Sequence, residues 1–140
     1  MGSFTVSLSQ SLAGLPAFLA YFAVGLALLA LFVAIYGAIT PYREMALIRQ
    51  GNVAAAISLA GATIGFVLPL ARAVTQSVSP LDLVAWGLVA LLVQIVVFLL
   101  VGKLVPRFAE AIRKGQVADA TFLAGLAVAV GVLNAASMTI

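Results

Sequence analysis

The chain reads as an all-α membrane protein, with four transmembrane helices arranged as two tandem, parallel helical-hairpin repeats. Three observations lead there. Of its 140 residues 65% are apolar and 8% charged, with a mean hydropathy of +1.28, where a soluble domain carries roughly 25% charged residues. Four stretches lack any charge: the residues before Arg43, those between Arg49 and Arg72, those between Asp82 and Lys103, and those after Asp119. Each is long enough for the about 20 apolar residues that cross a bilayer as helix. Finally, residues 48–61, IRQGNVAAAISLAG, return 64 positions later as residues 112–125, IRKGQVADATFLAG, with nine of fourteen positions identical. Each copy straddles the passage from a short basic segment into an apolar one.

The elements follow in order. Residues 1 to about 14 read as a polar, partly ordered leader. Without Lys or Arg it lacks the charged start of a secretory signal, and Val6 stands where a myristoylation pattern wants Ser or Thr. The first span is expected from about Pro16 to Ile39, with proline in its first turn, where a missing N–H costs nothing. Tyr36 falls near its end, at a depth where aromatic side chains favour the interface. Thr40-Pro41 stops this span, and a short amphipathic piece, Tyr42 to Gln50, carries Arg43, Glu44 and Arg49. Gly51-Asn52 then punctuates the chain, glycine ending the piece and Asn52 capping the second span, about Val53 to Ala71. A Ser/Thr-rich connection, Arg72 to Pro80, leads to a third span over about Leu81 to Leu104, anchored by Trp86. The second basic piece, Val105 to Lys114, holds Pro106, Arg107, Glu110 and Arg113. Gly115-Gln116 repeats the punctuation, and the fourth span runs to about Met138. The chain is thus one integral membrane domain, 1–140, with repeat 1 at about 16–75 and repeat 2 at about 81–140.

Lys and Arg set the orientation. Segments 40–52 and 103–116 hold Arg43, Arg49, Lys103, Arg107, Arg113 and Lys114, while the opposite face holds only Arg72. By the positive-inside rule both segments are expected to be cytoplasmic, with the N- and C-termini on the outer, periplasmic side. An even number of spans per repeat keeps both hairpins in one orientation, unlike the inverted repeats of many alternating-access transporters.

Cys and His are absent, which removes thiolate metal sites, disulfides, the commonest general base and the commonest transition-metal ligand. No cofactor and no metal are expected. A net charge of +3, placed where topology puts it, gives no reason to invoke nucleic acid. The carboxylates Glu44, Glu110, Asp82 and Asp119 sit in the basic pieces or at span ends, not at mid-bilayer, where proton-coupled carriers keep an ionisable group. Asp119 suits a helix N-terminus, and Arg72 and Asp82 flank one connection and are expected to pair. With no acid–base pair to name, an enzyme is not expected.

Several residues point to helix contacts instead. Gly61 and Gly65, with Ser58 and Ala54, form a small-residue row in the second span. Gly125 with Ala129, and Ala127 with Gly131 and Ala135, form two such rows in the fourth. Lipid gives no hydrophobic drive to helix association, so small rows that allow close backbone approach mark contact faces. Pro69 frees the carbonyl of Gly65, and a kink is expected there. Gln94 and Asn134 are polar side chains within spans. They either hydrogen-bond across helices or line a path, and their repeat equivalents are Ala30 and Leu70.

The stretch TPYREMALIRQGNVAAAISLAGATIGFVLPLA, a Trp-containing third span with Gln94 and a closing GVLNAAS resemble the YjfL-like small inner-membrane family of unknown function (DUF350, UPF0719-type). The likeness covers nearly the whole chain from the first span onward. It implies a protein of the bacterial inner membrane built from two copies of a two-helix unit, with Glu44, Gly51, Asn52, Ser58, Gly61, Gly65, Pro69, Gln94, Gly115, Gly131 and Asn134 matching the family pattern. It brings no catalytic residues, and implies a stress-linked role beside peripheral membrane-stress proteins.

The expected function is therefore a non-enzymatic, oligomeric scaffold or membrane-organising component, partnered by the lipid bilayer and by its own copies. The alternative is a small oligomeric channel or passive exporter for ions or small cations, lined by Ser58, Thr63 and Gln94.

Overall fold

Among the described residues of the computed structural model, 2–138, hydropathy and local capping chemistry produce seven helices. They are α1 (Gly2–Leu12), α2 (Leu15–Ile39), α3 (Glu44–Arg49), α4 (Val53–Gln76), α5 (Pro80–Leu104), α6 (Arg107–Arg113) and α7 (Val117–Ser137). The extreme ends of the expected leader and of repeat 2, Met1, Thr139 and Ile140, lie outside the described residues. Four helical stretches are long and apolar enough to cross a membrane: Gly2–Ile39, Val53–Gln76, Pro80–Leu104 and Val117–Ser137.

The basic pieces end alike. Gly51 and Gly115 adopt the left-handed conformation, with φ of 86° and 76°, which glycine reaches without a Cβ penalty. In the first turn the Gly51 N–H donates to Ile48 O and the Asn52 N–H to Leu47 O; in the second, Gly115 donates to Ile112 O and Gln116 to Ala111 O. Both are Schellman closures of a short helix. The next residue opens a spanning helix. Asn52 accepts from the Ala55 N–H at 3.0 Å, whereas Gln116 caps α7 without a side-chain bond.

Two boundaries differ from expectation. The leader is helical, as α1, because residues 3–13 contain neither glycine nor proline and carry Phe4, Val6, Leu8 and Leu12; Gly14 and Pro16 interrupt it before α2. The second span continues to Gln76 rather than Ala71. Its Ser/Thr residues bond back to the preceding turn, Thr75 Oγ1 to Arg72 O and Ser77 Oγ to Ala73 O, so they extend the helix where a loop was expected. Asp82 takes part in capping α5: its backbone N–H donates to Ser79 Oγ, and its carboxylate accepts from the Val78 N–H. Arg72 donates to Met138 O at 3.3 Å, across to the end of α7.

Helix α4 is the centre of the molecule. It packs against α2, α5 and α7 and carries a long run of buried residues from Ala54 to Ala73. One apolar cluster joins Leu28, Phe32 and Phe66 with Leu83 and Leu91; a second, at the α3 and α6 end, joins Tyr42, Ala54, Phe108, Ile112 and Leu123. The rings of Phe32 and Phe66 stack at 4.6 Å.

The most extensive contact is between α4 and α7, which run in the same direction. Asn52 meets Ile112 at one end, Gly61 meets Ala124, and Arg72 meets Met138 at the other. Cβ atoms added at Gly61 or Gly65 would collide with Ala124 or with the Ala127 carbonyl, and one added at Gly131 with the Gly65 carbonyl. Pro69, inside an α4 that continues through it, has no N–H to give that carbonyl, so Gly131 packs on an acceptor freed from the helix ladder. Gly125 does not share this role. It is exposed, with nothing within 4 Å of an added Cβ. The contact face of α7 is Ala124, Ala127 and Gly131; the Gly125–Ala129 row falls on the outer face, because α7 lies at the margin of the bundle and only one of its two small rows meets α4.

Candidate functional site

In a chain this apolar, side chains that remain polar yet buried are the informative ones. Among the described residues the buried polar ones are Thr40, Glu44, Ser58, Gln94 and Asn134. Four of them, with Tyr36 and Tyr42, trace a line from the α3 end into the bundle.

The line begins where α2 stops. The Thr40 N–H closes the last turn onto Tyr36 O, and the chain reverses through Pro41 into α3. This reversal folds Tyr42 and Glu44 back beneath the end of α2. Glu44 is 5% exposed, Tyr42 7% and Tyr36 1%. The Tyr36 hydroxyl pairs with Ser58 Oγ of α4 at 3.2 Å. Among the described residues, Glu44 Oε1 and the Tyr42 hydroxyl are buried without a hydrogen-bond partner. Burial pushes the Glu44 carboxyl up to about 7, opposed by the neighbouring Tyr36 and Tyr42 hydroxyls. Burial also raises the Tyr42 phenol.

Beyond Ser58 lies a cavity of about 30 Å³ lined by Tyr36, Ser58, Gln94 and apolar side chains, a volume sufficient for a water molecule. On its far side Gln94 Nε2 donates to Ala127 O at 3.4 Å, and Asn134 Nδ2 donates to Gln94 Oε1 at 3.4 Å and to Ala90 O at 3.3 Å. Gln94 and Asn134 thus tie α5 to α7 inside one chain. Gln94, on which a pore lined by several copies most depended, faces its own α7. Thr63 bonds back to Leu59 O in its own helix.

The residues singled out in the sequence therefore fall into three groups. Glu44, Ser58, Gln94 and Asn134 converge on the polar line. Gly61, Gly65, Pro69 and Gly131 build the α4–α7 seam, while Gly51, Asn52 and Gly115 form the two turns, with Asn52 Nδ2 donating to Ile112 O at 2.8 Å between them. Gly125 stands apart. Glu44 lies in the first basic piece as expected, and the structure adds that it is buried there, beside Tyr36 and Tyr42. Tyr36 is near the end of its span as expected, and its side chain faces inward, enclosed by Phe32, Phe98 and Ser58. The signal that could have found this group is the close spacing of Tyr36, Tyr42 and Glu44 around a Thr-Pro reversal. Asp119 opens α7 and pairs with Arg107 at 3.8 Å.

Comparison with known proteins fits this architecture. Residues 10–138 match the family model described as Domain of Unknown Function (DUF350). The chain is 41% identical over 125 residues to the UPF0719 inner membrane protein YjfL of Escherichia coli K12, covering 89% of this chain and 95% of that one. The same figures hold for YjfL of Escherichia coli O157:H7. It is 27% identical over 89 residues to the UPF0719 transmembrane protein YshE of Bacillus subtilis strain 168, covering 64% of this chain and 66% of that one. No solved structure matches. With four apolar helices and a match that spans nearly all of its length, the chain is an integral, multi-pass inner-membrane protein and belongs to the DUF350 family.

Proposed function

We propose that the protein is a non-enzymatic, oligomeric organising component of the inner membrane, seated on anionic lipid through one end of its bundle. The observation that carries this reading is the placement of charge. Arg43, Arg49, Lys103, Arg107, Arg113 and Lys114 are all exposed, and all belong to the α3 and α6 end or the adjoining terminus of α5. Glu110 offsets Arg113 and Lys114, and Asp119 offsets Arg107, which leaves an excess of cations. Each cation near an anionic leaflet contributes about 1 kcal/mol. Exposed apolar faces, including Phe18 and Phe22 on α2 and Leu92 and Leu99 on α5, offer surface to lipid or to further copies.

In this reading the chain is two helical hairpins in tandem, both basic turns lie on the cytoplasmic side and both termini on the periplasmic side. The matching closures at Gly51 and Gly115 support a duplicated unit, and the shared direction of α4 and α7 supports hairpins of one orientation. Protein reconstituted into vesicles of mixed zwitterionic and anionic lipid is expected to enrich anionic lipid around itself. That enrichment should weaken as salt rises, and fall in a variant with Arg49, Arg113 and Lys114 changed to Gln. Equal enrichment of both lipids, together with a single-chain mass in mild detergent, contradicts the proposal.

A further inference from the structure

Arg43 and Glu44 are consecutive, opposite in charge, and line one cavity of about 300 Å³ together with Val33, Gly37, Met45 and Leu59. Among the described residues neither takes part in an ion pair. Arg43 is exposed while Glu44 is 5% exposed, so the charges grade from the surface into the bundle. Gly37 holds the wall open, with nothing within 4 Å of an added Cβ. The cavity sits where α2 ends at Ile39, at the depth where a spanning helix leaves the hydrocarbon for the headgroup layer.

We propose that this cavity binds the headgroup of a zwitterionic phospholipid whose ammonium carries at least one N–H, as ethanolamine does. The ammonium donates to Glu44, the phosphate lies against the Arg43 guanidinium, and the start of an acyl chain follows Val33 and Leu59. A buried carboxylate calls for a cation or hydrogen-bond donors, and Glu44 Oε1 is buried without a hydrogen-bond partner, the Tyr36 and Tyr42 hydroxyls lying near the carboxylate but outside bonding geometry with Oε1. A guanidinium fork matches phosphate oxygens. The apolar wall accepts hydrocarbon but would gain nothing from a free phosphate or a metal ion. A choline headgroup has the same net charge yet no N–H to donate. An anionic glycerol headgroup leaves Glu44 without a counter-charge. This is separate from the surface-charge reading above, which depends on net charge and not on N–H donors.

The contact also has a pH signature. The groups facing Glu44 are the Tyr36 hydroxyl from α2 and the Tyr42 hydroxyl from the turn, with the Arg43 cation sharing the cavity wall. Burial holds the carboxyl near 7, so it is charged and able to hold an ammonium above that pH, and loses the contact as pH falls through it.

The test uses the full chain in vesicles with equal amounts of ethanolamine and choline phospholipids of identical acyl chains. Lipid retained through mild-detergent purification is quantified by mass spectrometry. At about pH 8 the ethanolamine lipid is expected to be retained roughly tenfold over choline. The preference should shrink towards parity at about pH 5.5, and Glu44→Gln should show parity at both. In the unaltered protein, mono- and dimethylated ethanolamine headgroups should be retained and choline not, which keeps the proposal testable should Glu44→Gln not fold. Arg43→Gln should lower retention of both headgroups while keeping the preference. Parity in the unaltered protein at pH 8, a preference that survives Glu44→Gln, or displacement of ethanolamine by an equal amount of anionic glycerol lipid overturns the proposal.

Discussion

At Gly131 the α7 backbone rests on the Gly65 carbonyl, and a backbone carbonyl cannot rotate away as a flexible side chain can. Gly131→Ala is therefore expected to destabilise the purified protein by about 1–3 kcal/mol. Gly125→Ala meets open space and should be neutral or add up to about 1 kcal/mol through better helix propensity. Denaturant or thermal unfolding in one detergent compares them, and equal losses at both positions contradict the packing described. The sequence marked Gly61, Gly65, Gly125 and Gly131 as contact residues without assigning their faces. In a span that is apolar all round, periodicity carries little directional information, and which side meets protein is decided by the neighbours. Glu44 was illegible for a related reason: its burial depends on how a six-residue helix docks under Tyr36, a long-range outcome that composition does not encode.

Individual elements were more legible where local chemistry decides them. Gly51-Asn52 and Gly115-Gln116 each contain a glycine for the left-handed turn and an amide residue after it, and both close as expected. Asn52 does more than its position suggests, because its oxygen caps α4 while its amide group reaches Ile112 O beside the second turn. Asn52→Ala should cost about 1–2 kcal/mol. Asn52→Asp keeps the cap acceptor but loses the donor, so it should fall between Ala and the native residue in thermal unfolding. An Asp variant as stable as the native protein shows the cross-link to Ile112 to be idle. Element ends misled where Ser and Thr cluster. The same residues that favour turns can bond back to the preceding helical turn, as Thr75 and Ser77 do.

On the scale of the whole molecule, one chain pairs Ser58 with Tyr36 and Gln94 with Asn134 internally, leaves Glu44 Oε1 and the Tyr42 hydroxyl unpartnered among the described residues, and presents its cations at one end. The membrane-organising proposal requires that end to face the cytoplasm and the short turn between α4 and α5 to face outward. A sequence without cysteine lets the question be put with single introduced thiols. Arg49 and Lys114 are exposed in the two basic connections, and Val78, 89% exposed, lies in the opposite turn. In intact spheroplasts a membrane-impermeant thiol reagent should label Val78→Cys, and should reach Arg49→Cys and Lys114→Cys only after permeabilisation. Labelling of either basic connection in intact spheroplasts, with Val78→Cys protected, contradicts the account.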